Sequence, residues 1–409
     1  MSNSDQHPSA NDGRSPGHGL LIANLLVQIA FGLMAMTICL PSMQQWGEIF
    51  SAGQPAVQLT FSAYVIAYGG LQLMYGPLSD RFGRRPVLLA GLACAFVGAV
   101  MAMMARDIVM LTLARLVQGA GSAAGMVIGR AIVQDLFSGS ERTRIMAFIG
   151  MALGITPPLA TVVGGVIHEQ FGWRANFVVM AGLSLLLLIA AWRGLPAGRA
   201  PTEVRRHWLL QMLSSYSILL RQPEFLMYVV LLGCTTATFY AFLSGAPIVL
   251  KSYGVGPAGI GWYIMFCPLC YIIGNFVTSR YVHAWGERTI MMIGQLLTVS
   301  GVILMWALSA MGWDTALAFA MPTMLVGMGH GFLVPPTLTG TVGLNPALAG
   351  AAAGVAGLSQ QCVGAFGGFT VGLVDHQGAM HVSLLMMAFT GVGLLMFVML
   401  TLRGLRHHA

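Results

Sequence analysis

Apolar stretches of about twenty residues, each long enough to cross a bilayer as a helix, recur along the chain between short polar or glycine-bearing breaks. They fall at about 20–40, 57–75, 87–105, 108–134, 144–167 and 173–192. After one longer polar interruption they resume at about 225–248, 259–279, 289–310, 315–338, 347–373 and 380–402. No ten-residue alternation of the kind that builds a membrane β-barrel recurs. The pattern predicts an all-α, polytopic membrane protein with twelve transmembrane helices, six in 20–192 and six in 225–402. The polar segment 1–19 has no basic region ahead of a short apolar core, so it reads as a disordered cytoplasmic tail and not a cleaved signal peptide. The segment 193–224 carries five arginines with Gly194, Pro196 and Pro201 and reads as a cytoplasmic central loop. Residues 403–409 read as a second cytoplasmic tail.

Composition agrees with this class. Of 409 residues, 56% are hydrophobic and 8% charged, against about a quarter charged in soluble domains. The 52 glycines suit helices packed closely in lipid. Charge adds orientation. With both termini inside, fifteen of the twenty Lys and Arg residues face the cytoplasm, only Arg106, Arg174 and Lys251 face outward, and Arg115 and Arg130 fall inside the fourth span. That bias also accounts for the net charge of +7 without invoking nucleic acid. The six cysteines all fall within spans and read as small apolar residues, and no phosphate-binding loop follows a strand, so no cofactor is implied.

The densest polar signal is Gly76-Pro77-Leu78-Ser79-Asp80-Arg81-Phe82-Gly83-Arg84-Arg85-Pro86. Its arginines would cost roughly 2.5 to 3.5 kcal/mol each in hydrocarbon, so it reads as a hinge at the membrane surface between spans two and three. The order G-x-L-x-D-R-x-G-R-R resembles the signature loop of the major facilitator superfamily, which implies a gating role for Gly76, Asp80, Arg81, Gly83, Arg84 and Arg85. The connection Ser279 to Arg288 sits where a second copy would fall; it keeps Gly286 and loses the acid. Two six-helix halves are similar to the paired repeats of secondary transporters.

The fourth span holds Arg115 and Gln118 on one helical face. Arg115 either snorkels outward or faces a hydrated cavity. Arg115-x-x-Gln118-Gly119-x-Gly121 resembles the fourth-helix motif of proton-coupled facilitators, which implies the second, with a part in proton transfer. Gly121, Gly125 and Gly129 form a small-residue groove for another helix. Arg130 and Asp135 are either an anchoring surface pair or a gate. The stretch Gly129 to Asp135 resembles the Bcr/CflA branch of drug:proton antiporters, as does Leu40-Pro41-Ser42. In the fifth span Gly154, Pro157, Pro158, Gly164 and Gly165 suggest a kinked helix at the moving interface. Gly364, Gly368 and Gly372 form a second ladder in span eleven.

The resemblance implies that spans one, four, seven and ten line a central chamber, presenting Thr37, Arg115, Gln118, Phe239, Tyr240 and His330 to cargo. His330 either titrates near neutral pH or sits buried and neutral. Thr37 stands where many relatives carry an acid, and none of the thirteen acids lies at mid-membrane. Coupling then falls to Asp135, to His330 or to the cargo itself, and an anionic cargo attracted to Arg115 fits the missing acid. The expectation is a monomeric inner-membrane exporter of amphipathic small molecules, exchanging them for protons. A dedicated exporter of a metabolite such as a siderophore and a proton-symporting importer are the alternatives. A membrane enzyme is disfavoured because no nucleophile–base or metal cluster lies at one membrane depth.

Overall fold

The computed structural model describes residues 16–137, 139–195, 214, 216–345, 348–374 and 378–406. Most of the tail expected over 1–19, most of the loop expected over 193–224, Asp375 and the end of the 403–409 tail lie outside these residues. The described chain is helical throughout. We number its long helices α1 (Pro16–Thr37), α2 (Gln54–Phe82), α3 (Arg84–Met103), α4 (Ile108–Leu136), α5 (Gly139–Phe171) and α6 (Trp173–Gly194). The second set is α7 (Pro223–Ser252), α8 (Pro257–Ile264 and Phe266–Trp285), α9 (Glu287–Ala310), α10 (Ala316–Ala320 and Thr323–Gly343), α11 (Ala349–Thr370) and α12 (Ala379–Arg406). α1 begins inside the segment read as a disordered tail, which corrects that boundary.

The two sets repeat one packing scheme. α4 packs against α1, α2 and α3, and α10 repeats this against α7, α8 and α9. α1 packs against α5 and α6, and α7 repeats this against α11 and α12. The sets meet along two seams, α2 with α11 and α5 with α8. Among the described residues ten helices are long and apolar enough to cross a membrane; α2 and α11 are not among them. Their sequences explain this, because α2 carries Gln58, Ser62, Tyr64, Tyr68 and Gln72, and α11 carries Ser359, Gln360 and Gln361. Of these, Gln58 and Ser62 bond across the seam and Gln361 packs on Gly69, where helices can satisfy one another away from lipid.

The breaks between helices are short. A single glycine at positive φ separates α2 from α3 (Gly83, +92°), α5 from α6 (Gly172, +80°) and α8 from α9 (Gly286, +79°). That conformation is open to glycine and strained for other residues. The hinge expected over 76–86 therefore contracts to Gly83, and α2 runs on through Gly76 and Pro77 to Phe82. Pro77 forfeits one backbone donor, a local loss that the packed helix absorbs. α5 likewise continues through Pro157 and Pro158, while α10 breaks at Met321-Pro322 and not at Pro335-Pro336. The end of the bundle that holds the Gly83 and Gly286 turns is called the basic end below.

Candidate functional site

At the basic end one arginine joins two helices. Arg84 contacts Asp80 (Nη1 to Oδ1, 2.5 Å) and Asp135 on α4 (Nε to Oδ2, 3.0 Å), and its Nη1 also donates to Ser79 Oγ at 2.6 Å. Arg85 donates to the Trp192 carbonyl at the end of α6, and Arg81 lies 5.1 Å from the Phe82 ring. The positive φ of Gly83 places Arg84 at the start of α3, within reach of both acids. Arg130 and Asp135 do not pair, which corrects the expected couple: five residues put them about 140° apart around α4, and Asp135 belongs to Arg84.

About two turns into α4, Arg115 is 0% exposed. Its Nη1 donates to the Ala35 carbonyl at 2.8 Å and to Gln118 Oε1 at 2.7 Å, and its Nη2 donates to the Met36 carbonyl at 3.3 Å. The guanidinium lies 4.1 Å from the centre of the Tyr64 ring. Ala35 and Met36 are in the last turn of α1, so the cation also meets the negative end of that helix. Arg115 thus neither snorkels outward nor faces a cavity in this conformation. The α1 carbonyls and Gln118 hold it, and Tyr64 covers it. Tyr64 stacks on Tyr68 with centroids 6.0 Å apart, and its hydroxyl donates to the Gly32 carbonyl.

The other expected chamber residues are similarly packed. Thr37 is buried and donates to its own helix at the Leu33 carbonyl. Tyr240 donates to Gln361 Oε1 on α11 at 2.9 Å and meets Phe61 of α2 edge to face at 5.6 Å, while Phe239 is half-buried beside it. His330 is 4% exposed, and its Nε2 has no hydrogen-bond partner. The glycines work as spacers. Gly121 lies against α3, Gly125 and Gly129 against α1, Gly154 against Ile272 of α8, Gly164 against the Ile38 carbonyl, and Gly165 against Pro257 and Ala258. Gly368 and Gly372 meet Phe61 and Pro55 of α2 across the seam, whereas Gly364 meets Tyr240 within its own half.

Polar ties between the halves gather at the end opposite the basic one. Gln44 donates to the Pro247 and Val255 carbonyls, Lys251 reaches Glu48 and the Gln44 carbonyl, and Glu169 accepts from the Ala258 amide. Deeper in, Gln58 donates to the Ser244 carbonyl and Ser62 to the Ala365 carbonyl. The sequence had not marked this closure, because its acceptors are mostly backbone. Nor had it marked His168, whose Nδ1 lies 2.9 Å from Ser42 Oγ, with Asn176 donating to the same oxygen. Toward the basic end Arg130 of α4 is exposed.

Comparison with known proteins gives a consistent result. The family model described as Major Facilitator Superfamily matches residues 25–369. The multidrug resistance protein D of Escherichia coli (strain K12) is 27% identical over 344 residues, 82% of this chain and 84% of that protein. A bicyclomycin resistance protein homolog of Haemophilus influenzae is 29% identical over 377 residues, 90% of this chain and 92% of that one. Among solved structures, a peptide transporter in complex with alafosfalin matches with a TM-score of 0.76 at 14% identity, covering 94% of both chains. A D-xylose-proton symporter matches at 0.72 and 16% identity, over 93% of this chain and 96% of that one.

Proposed function

Because the chain belongs to the Major Facilitator Superfamily, we propose that it exports amphipathic small molecules from a bacterial cytoplasm by alternating access, in exchange for protons. The basic end is then cytoplasmic, as the fifteen-to-three distribution of Lys and Arg favours. The observation that carries this reading is the asymmetry of the seam. The halves are tied at the outer end through Gln44, Lys251, Gln58 and Ser62, while toward the inner end Arg130 of α4 is exposed. This asymmetry supports a transporter that rests with its outer end closed.

In such a cycle the Asp80–Arg84–Asp135 lattice holds α2, α3 and α4 in one inner-end geometry and must rearrange when that end closes. Closure at one end and opening at the other is a two-state change of the seam, which cargo biases only through different contacts in the two states. The aromatic residues between the ends, Tyr64, Tyr68, Phe61, Phe239 and Tyr240, offer large rigid surfaces that suit varied apolar cargo. Relatives named for multidrug and bicyclomycin resistance favour broad efflux over a dedicated siderophore exporter.

The test is uptake of labelled 1-naphthoate and 1-naphthamide by membrane vesicles carrying the full chain. Export predicts accumulation in inverted vesicles under an acid-inside gradient, and collapse of that accumulation when the gradient is dissipated. Accumulation confined to right-side-out vesicles would make the protein an importer. Movement of neither compound in either orientation would remove the broad-efflux reading.

A further inference from the structure

The ties that close the outer end do not fill it. Between them lies a cavity of about 200 Å³, lined from the first half by Gln44, Gly47, Glu48 and Gln54 and from the second by Ile248 and Lys251. That volume admits a small organic molecule, since a single water needs only about 10 to 15 Å³. The polar groups on its wall are only partly used. Lys251 Nζ gives two of its three hydrogens to Glu48 Oε1 and the Gln44 carbonyl. Glu48 engages one carboxylate oxygen and keeps the other. The Gln54 side-chain amide bonds to nothing among the described residues: its Oε1 is buried without a partner, and its Nε2 stands 3.8 Å from where a Cβ on Gly47 would lie. An unpaired, half-buried amide is costly, so a group that completes it is favoured.

From these unused groups the geometry points to a binding site for a small zwitterion, a primary ammonium joined through a few bonds to an anionic oxygen group. The anionic end takes the third Lys251 hydrogen and the Gln54 amide N–H, and the ammonium takes the free Glu48 oxygen. Charge selects the class. A lone anion placed here meets Glu48, a lone cation meets Lys251, and a molecule carrying both signs gains from each residue. A quaternary ammonium has no hydrogen to give Glu48. Because Glu48 and Gln54 belong to one half and Lys251 to the other, an occupant bridges the seam. It stabilises the closed outer end and by linkage slows any cycle that must open it. The site itself stands on the cavity, and only this inhibition rests on the alternating-access reading above.

The experiment is a saturation-transfer NMR titration of β-alanine, propionate and propylamine with the full chain in phosphatidylcholine nanodiscs. Wild type is expected to bind β-alanine about tenfold or more tighter than either single-charge analogue. Gln54→Leu, which leaves every tie between the halves in place, should weaken β-alanine about fivefold. Lys251→Gln should erase the preference over propylamine. Equal affinity for the three probes in wild type overturns the site, as does a preference unchanged in both variants. Phosphatidylethanolamine carries the same two charges. If adding it to the discs displaces β-alanine, the occupant is a lipid headgroup, and if it does not, the occupant is a free solute. In inverted vesicles, whose lumen faces the outer end, β-alanine sealed inside should slow naphthoate uptake several-fold, and β-alanine added only to the medium should not. Selective binding without that sided effect would sink the closed-outer-end reading and leave the site standing, and loss of probe selectivity would do the reverse.

Discussion

The two six-helix halves share a backbone plan and differ in where they keep charge. Each half sets one helix against three others, α4 in the first and α10 in the second, and each joins its second and third helices through one glycine at positive φ. Of the two corresponding helices, α4 carries arginines in its interior and α10 carries no Asp, Glu, Lys or Arg. Arg115 and Arg130 lie on α4, whereas the corresponding helix of the second half carries His330 between glycines. At the basic end the Gly83 turn is surrounded by Asp80, Arg84 and Asp135, while Glu287 and Arg288 beside Gly286 are exposed. One half therefore handles charge, and the other supplies an apolar counter-surface. Duplicated architecture fixes the geometry of the seam, and side chains on one side of it assign the chemistry.

The sharpest way to break this contrast is to strip the interior of each half in turn. Arg115→Ala leaves the Ala35 and Met36 carbonyls and Gln118 Oε1 without their donor and removes the cation from Tyr64. Hydrogen bonds to charged groups are worth roughly 1.5 to 3 kcal/mol each, so a loss of about 3 kcal/mol or more is expected, read as a large fall in the unfolding midpoint in detergent. His330→Leu removes an imidazole whose Nε2 is already without a partner and should leave that midpoint equal or higher. Similar losses in both variants would contradict a division of labour between the halves.

The two glycine turns give a comparison expected to come out even. Gly83→Ala and Gly286→Ala each force a Cβ into φ near +92° and +79°, a strain of about 1 to 3 kcal/mol per site. Matched losses in thermal stability would confirm that the turns are equivalent as backbone. A tolerant Gly286→Ala would show that only the first turn is held rigidly by its neighbours.

Much of this was legible in the residue order. The twelve apolar runs appear as helices near their expected bounds, and Gly286 does repeat the break at Gly83. What the sequence concealed lies across long separations or on backbone atoms. Arg115 and Gln118 could be placed on one face by their spacing, but the carbonyls that hold Arg115 belong to residues 79 and 80 positions away. Proximity in sequence suggested Arg130 for Asp135, and the fold chose Arg84, 51 residues upstream. Gly76-Pro77 signals a turn locally, yet tertiary packing carries α2 six residues past Gly76.

The smallest effect on stability should be the most telling about mechanism. Arg84 is partly shielded at 22% side-chain exposure, while Asp80 and Asp135 are 61% and 53% exposed. Ion pairs this wet contribute at most about 1 kcal/mol each, so Arg84→Gln should barely move the unfolding midpoint. Its consequence for the cycle is different in kind, because the same arginine joins the acids of α2 and α4 across the Gly83 turn, and losing it removes the inner-end arrangement of those helices as a discrete state. The initial rate of naphthoate uptake into inverted vesicles should therefore fall several-fold, within the range of typical coupling energies, with Asp80→Asn and Asp135→Asn each falling less. Arg288→Gln, two residues past Gly286, has no such lattice among the described residues to disrupt and should transport like wild type. Raised salt should slow the wild type toward the Arg84→Gln rate, since exposed pairs are screened over about 8 to 10 Å. If Arg288→Gln slows transport as much as Arg84→Gln does, the gate does not reside in the first half, and the contrast between the two turns is one of sequence alone.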